Sequence, residues 1–280
     1  MLRLLEITTF LREIAPLELA EEWDNVGLLI GDEQQQVKHV LTCLTLSPDV
    51  AAEAVSRQVD LVVAHHPILF RPVQRLTSDM PEGTMLLSLI AAGVAVYSPH
   101  TAFDSAADGI NQSLAESLGL IEIDVLRPVV PKNRDGLAAA PRDDGSPSPL
   151  CGGGRMGRLP KAEPLIAFNE RVKRALNVRH LQYVGDDRQP IGQVAVACGS
   201  AAEFLPDARR QGCDVLVTGE ARFHACLEAR LSGTAMILAG HYATERPAVE
   251  LLARRIAERF PGLDCGTSQV EQDPVRWSAP

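Results

Sequence analysis

The sequence predicts an α/β protein built from two similar layered units, and three observations carry that prediction. The segment from Gln36 to His66 reappears without a gap from Pro190 to Glu220, a displacement of 154 positions (His66 to Glu220) that lays Val40-Leu-Thr-Cys-Leu over Val194-Ala-Val-Ala-Cys. A second repeated element follows each copy, His100-Thr-Ala-Phe-Asp104 and His241-Tyr-Ala-Thr-Glu245, displaced by 141 (His100 to His241). Apolar strand signals such as Leu61-Val-Val-Ala alternate with helical ones, and near-continuous apolar strands belong to sheets covered by helices on both faces. An internal duplication is expected, with a metal site between its halves at the carboxyl ends of strands.

The elements follow in chain order. Leu4, Ile7, Leu11 and Ile14 share one face of a helix expected over 2–14 and stopped near Pro16. A short helix leads into Trp23-Asp-Asn-Val-Gly-Leu-Leu-Ile-Gly31. Strands are expected over 40–44, 61–64 and 94–98, with helices over about 48–57 and 83–92 between them. Residues 104–118 read as a single helix, ending at Gly119 as its C-terminal cap. Pro, Asp, Ser and Gly crowd 131–158 and mark a linker. The second half resumes with a helix over 163–176, strands over 180–184 and 192–198, and a helix over 201–211. Strands over 215–218 and 235–239 enclose a helix over 223–231. A helix over 244–259 and a closing strand over 265–270 complete the chain. The expected domains are therefore 1–130 and 159–280, the C-terminal part of the second being available to pack on the first.

Composition narrows the function classes. At 280 residues the chain suits two ordinary domains, and 46% hydrophobic residues with a mean hydropathy near zero describe a globular protein. No apolar run approaches the roughly 18 residues that a membrane helix needs. The N-terminus lacks the long apolar stretch of a signal peptide, so a cytoplasmic location is expected. The six cysteines are scattered without a Cys-x-x-Cys pair and read as reduced thiols. A net charge of -9 argues against nucleic acid as a partner. Arg171, Lys173, Arg174, Arg179 and His180 form one basic cluster, which reads as a solvated helix face.

The chemistry lies at strand ends, where ligands gather in open α/β sheets. His65 and His66 follow the buried strand Leu61-Val-Val-Ala, and His100, Asp104, His241 and Glu245 leave equivalent places in the repeat. Imidazole nitrogens with carboxylate oxygens suit borderline divalent ions, and this set fits a two-metal site that Glu245 could bridge. Four-residue spacing would put His241 and Glu245 on one helix face, whereas Pro247 places the helix start near 244–246 with Glu245 in its first turn. His100 reads as a ligand, a supporting donor or a proton carrier. Glu220 and His224 also lie near a strand end; His224 is the other candidate proton carrier, against an ordinary surface histidine. Trp23-Asp-Asn-Val-Gly27 is compatible with a pocket loop or a plain turn. Gly152-Gly-Gly-Arg-Met-Gly-Arg158 imitates a phosphate loop without its lysine. There is no nucleophile elbow, and no cysteine is expected beside a base.

Glu22-Trp-Asp-Asn-Val-Gly-Leu, Ala64-His-His-Pro, His100-Thr-x-x-Asp104, Gly154-Arg-Met-Gly-x-Leu159, Thr218-Gly-Glu-x-x-x-His224 and Gly240-His-Tyr-x-x-Glu245, taken in order, resemble the Nif-three-like dinuclear metal-centre family. Its members are often called GTP cyclohydrolase 1 type 2 homologues. The resemblance runs through nearly the whole chain, the stretch over 131–150 being the least similar. It implies a dinuclear centre held by His65, His66, Asp104, His241 and Glu245, with Glu245 bridging; such nitrogen and oxygen ligands are compatible with two divalent ions of Zn, Mn, Fe, Co or Ni per chain. It also implies a ring-shaped homohexamer with its sites facing a central cavity. Glu220 departs from the family's usual Asp. A metal-dependent hydrolase acting on a small nucleotide-like substrate is the leading expectation; a non-catalytic metal-handling or interaction protein is the alternative.

Overall fold

The computed structural model describes residues 2–129 and 151–278, so most of the expected linker lies outside the described residues. In chain order its first elements are α1 (Leu4–Ile14), β1 (Gly27–Ile30), β2 (His39–Cys43), α2 (Pro48–Ser56), β3 (Leu61–Ala64), α3 (Pro81–Ala91), β4 (Ala95–Ser98), α4 (His100–Ser105), α5 (Ile110–Ser117) and β5 (Ile121–Val129). There follow β6 (Cys151–Pro164), α6 (Leu165–Leu176), β7 (Gln182–Val184), β8 (Pro190–Val196), α7 (Leu205–Arg210), β9 (Val215–Thr218), α8 (Phe223–Ser232), β10 (Ala235–Leu238), α9 (His241–Glu245), α10 (Pro247–Arg259) and β11 (Asp264–Thr267). Among the described residues, no helix is long and apolar enough to cross a membrane.

The chain divides into two compact α/β units. One comprises the residues up to Phe103 together with Ala248–Ser278, and the other Asp104–Pro247. Residues 104–129 group with the second unit and not, as the expected bound 1–130 has it, with the first, while 248–278 group with the first, the association left open for the C-terminal part.

The first unit holds a five-stranded sheet in the order β1-β4-β3-β2-β11. β2, β3, β4 and β11 run parallel, and β1 closes one edge antiparallel to β4. Side chains of a strand alternate between faces. Leu41, Cys43, Val62, Ala64 and Val96 meet Val50 and Ala54 of α2 and Leu86 and Leu89 of α3 in one apolar layer. Thr42, of opposite parity, donates from its hydroxyl to the Val249 carbonyl of α10 at 3.2 Å. Both faces are thus covered, which is why strands β2 to β4 read as continuous apolar runs.

The second unit holds a six-stranded sheet in the order β5-β6-β8-β9-β10-β7. β8, β9 and β10 are parallel, with β7 antiparallel at one edge and the β5–β6 pair at the other. Ala195, Leu216 and Met236 pack with Phe204, with Leu205 and Ala208 of α7 and with Ala229 of α8. The run β7-β10-β9-β8 repeats the order and directions of β1-β4-β3-β2.

Three expected elements differ. The helix over 104–118 is two helices, because Gly109 is extended (φ -85°, ψ -161°) and starts α5 afresh. Residues 151–158 belong to β6 and not to a linker, and their glycines are a packing requirement: a Cβ on Gly152 would lie 2.2 Å from the Arg127 carbonyl oxygen of β5. The helix over 244–259 is likewise two, since α9 begins at His241 and Pro247, which has no N–H to donate, opens α10.

Candidate metal centre

In the first unit, adjacent parallel strands set His65 and His66, after β3, beside His100, after β4. One ring nitrogen from each of these three residues lies within 4.8 Å of the others. The ring centroids of His65 and His66 are 5.1 Å apart, and His100 is 5.2 and 5.6 Å from them. His65 is buried, and the Ser98 hydroxyl donates to its carbonyl at 2.6 Å.

Neighbouring groups fix the rings. His66 Nδ1 is paired with the Thr45 hydroxyl at 2.8 Å. His100 Nδ1 lies 2.7 Å from Asp24 Oδ1, while the Thr101 N–H donates to Asp24 Oδ2 at 3.1 Å and its hydroxyl donates to the same oxygen. Burial alone would raise the Asp24 carboxyl, but the bonds from His100 and Thr101 outweigh it and lower the pKa. Engaging Nδ1 directs Nε2 outward, the usual orientation of a ligating histidine supported by a second group.

In the second unit the corresponding groups stand after β8, β9 and β10. His241 and Glu245 lie one turn apart on α9, with His241 Nε2 3.0 Å from Glu245 Oε2. This corrects the expectation that Glu245 sits in a first turn starting near 244; here the spacing of four residues prevails. His241 Nδ1 is 3.0 Å from Glu220 Oε1. The Glu245 bond, working against burial and helped by Glu220, raises the His241 pKa to about 9. An incoming ion would have to displace that proton. Glu245 is buried beside Gly199, where an added Cβ would lie 2.2 Å from Oε1.

Asp104 accepts a hydrogen bond from the Cys198 thiol at 3.4 Å. A cysteine therefore does stand beside a basic group, contrary to the reading of the sequence. Burial, then the Asp104 and Glu245 charges, push its pKa well up. The shift favours the thiol over the thiolate. His224 is not brought to these groups by any bond described here; it lies exposed at the start of α8, its ring 6.0 Å from Phe223.

Sequence reasoning missed Thr45, Cys198 and the part played by Asp24. A signal existed for the first two, since Thr45 and Gly199 occupy the same place in the 154-residue repeat and Cys198 immediately precedes Gly199. Asp24 had no such signal, because its partner His100 is 76 positions away.

The three imidazoles of the first unit form a group that could hold a metal ion, and His241 and Glu245 of the second offer an imidazole and a carboxylate, donor types that divalent transition metals accept. The Duf34/NIF3 (NGG1p interacting factor 3) family model matches residues 2–274. A GTP cyclohydrolase 1 type 2 homolog of Clostridium acetobutylicum is 31% identical over 280 residues, with 99% of each chain covered. A Protein NIF3 homolog of Schizosaccharomyces pombe is 33% identical, with 92% of each chain covered. Among solved structures, Staphylococcus aureus protein SA1388 matches with a TM-score of 0.86 at 28% identity, covering 99% of each chain. With a family match along nearly its whole length, the chain belongs to the Duf34/NIF3 family.

Proposed function

We propose that the chain is a metal-dependent hydrolase of a small nucleotide-like substrate, with His65, His66, Asp104, His241 and Glu245 holding two divalent ions. The observation that carries this reading is the support of the imidazoles. His66, His100 and His241 each have Nδ1 engaged, by Thr45, Asp24 and Glu220. Such bonds hold a ring in one tautomer and aim its other nitrogen at a ligand. The names of the similar proteins support a nucleotide as the substrate class.

Two ions bound there would supply Lewis-acid polarisation and a water of lowered pKa. The residues divide the remaining work. Glu245, which is buried, would hold an ion through its carboxylate. His100, oriented by Asp24, can take a proton at Nε2 and release it, because the Asp24 carboxylate stabilises the imidazolium. His224 remains the second candidate carrier.

Elemental analysis of untagged protein tests the centre. About two transition-metal ions per chain are expected, and a His65→Ala, His66→Ala variant should lose them. Glu245→Gln should abolish turnover on a panel of nucleotides while the protein still unfolds cooperatively. Protein that takes up no metal would sink the proposal, and loaded protein without turnover would favour a metal-handling role.

A further inference from the structure

Trp23 and Phe70 are large aromatic rings left in water next to the three histidines of the first unit. Trp23 is 60% exposed and Phe70 45%. Their centroids are 5.8 Å apart at an interplanar angle of 69°, and they stand 6.1 and 6.5 Å from the His100 ring. Burying an aromatic ring is favourable, so the exposure of both rings at one place calls for a reason.

The backbone that carries the two rings is held on both sides. Asp24, the residue after Trp23, is tied to His100 and Thr101. Asn25 Nδ2 donates at 2.6 Å to the carbonyl of Leu69, the residue before Phe70. The loop that carries Trp23 is thereby bonded both to the segment carrying Phe70 and to the histidine cluster. Rings carried on a backbone held in this way lose less conformational freedom when something stacks on them, which is how preorganised sites gain affinity.

The chemistry around the rings selects the occupant. Two rings set edge to face and half or more exposed offer aromatic surface to a stacking partner. The carboxylate tied to the His100 ring is unsuited to draw a cation, because the Asp24 side chain is fully buried and its oxygens are taken by His100 and Thr101. An aliphatic group would gain contact from the rings but nothing from the histidines. A planar nitrogen heterocycle gains from both, through stacking and through a hydrogen bond from its edge to His100, the histidine outside the proposed ligand set.

We infer that Trp23 and Phe70 form a stacking subsite for a purine-like ring and so decide which part of the substrate meets His65, His66 and His100. The inference rests on the reading of those histidines as part of a substrate site, and it names the substrate's ring as the group recognised.

The chain has two tryptophans, so Trp277→Phe leaves Trp23 as the sole indole reporter. Titration of that variant with GMP should quench its fluorescence saturably; ribose 5-phosphate should neither quench nor compete. Adding Phe70→Ala should weaken GMP binding about 5- to 150-fold, the span that one base stack is worth, with metal content unchanged. Three results would overturn the inference: no saturable quenching by any of the four common nucleoside monophosphates at millimolar concentration, equal quenching by ribose 5-phosphate, or a blue shift of Trp23 that follows protein concentration, which would place a second copy on the rings. Metal analysis of the same samples separates the two readings. Metal-free protein that still stacks GMP keeps the subsite and loses the hydrolase, whereas loaded protein with no base-dependent quenching loses the subsite alone.

Discussion

Gly199 shows how one atom decides the setting of Glu245 in the second unit. Its backbone has φ +66°, a region that costs an L side chain about 1–2 kcal/mol, and its N–H donates to the Thr244 hydroxyl at 3.1 Å. The same missing Cβ leaves room for Glu245 Oε1. Gly199→Ala should therefore do two things at once: lower stability by at least about 1–2 kcal/mol and move the Glu245 carboxylate. Urea denaturation reads the first effect and metal content per chain the second. Unchanged metal content in a folded, destabilised variant would mean that Glu245 does not need this position to bind an ion.

Among the elements, strand β6 carries a buried cation that the sequence disguised. Arg155 is 1% exposed and its guanidinium is spent on the chain itself. Nη1 donates to the carbonyls of Gly152 and Gly154 at 2.9 and 2.8 Å, Nη2 to those of Ala106 and Ala107 at 2.6 and 3.3 Å, and Nε to Gln112 Oε1 at 3.1 Å. It pins the turn between α4 and α5 to the sheet. Arg155→Met should cost about 3 kcal/mol or more, because several carbonyls lose a charged donor and stay buried. A midpoint in urea within error of the parent would refute this role. The example also marks the limit of what was legible. Strands β3, β9 and β10 were readable because burial on both faces writes itself as an apolar run, and the histidines because they follow those runs. The Gly152–Arg155 stretch imitates a loop, since its glycines answer to the closeness of β5, of Phe204 and of β8, and local composition does not report such neighbours. The α9–α10 break was half legible: Pro247 announced a helix start but not the short helix already formed before it.

At the scale of the whole molecule, the first unit cannot be assembled from the first part of the chain alone. β11 pairs in parallel with β2, Asp264 opposite His39 and Thr267 opposite Thr42. Beyond it, the Glu271 carboxylate accepts from the N–H groups of Leu44 and Thr45 at 3.1 and 2.6 Å, and Thr45 is the partner of His66. The Ser268 hydroxyl reaches Glu53 of α2 at 2.6 Å, and α10 covers the face of β2 that Thr42 presents. A fragment ending at Phe103 would leave one edge of β2 unpaired, one face of the sheet open to water and the Thr45 loop without its anchor. An unpaired apolar edge of this kind favours aggregation. Residues 1–103 expressed alone should be insoluble or unfold without cooperativity, and adding 248–278 through a flexible linker should restore a cooperative transition. A folded, soluble 1–103 fragment would show that the C-terminal segment decorates the unit instead of completing it. Glu271→Gln in the full chain isolates the finer consequence: with the charge gone but the shape kept, the Thr45 loop loosens, and metal uptake by the first unit should weaken while the fold persists.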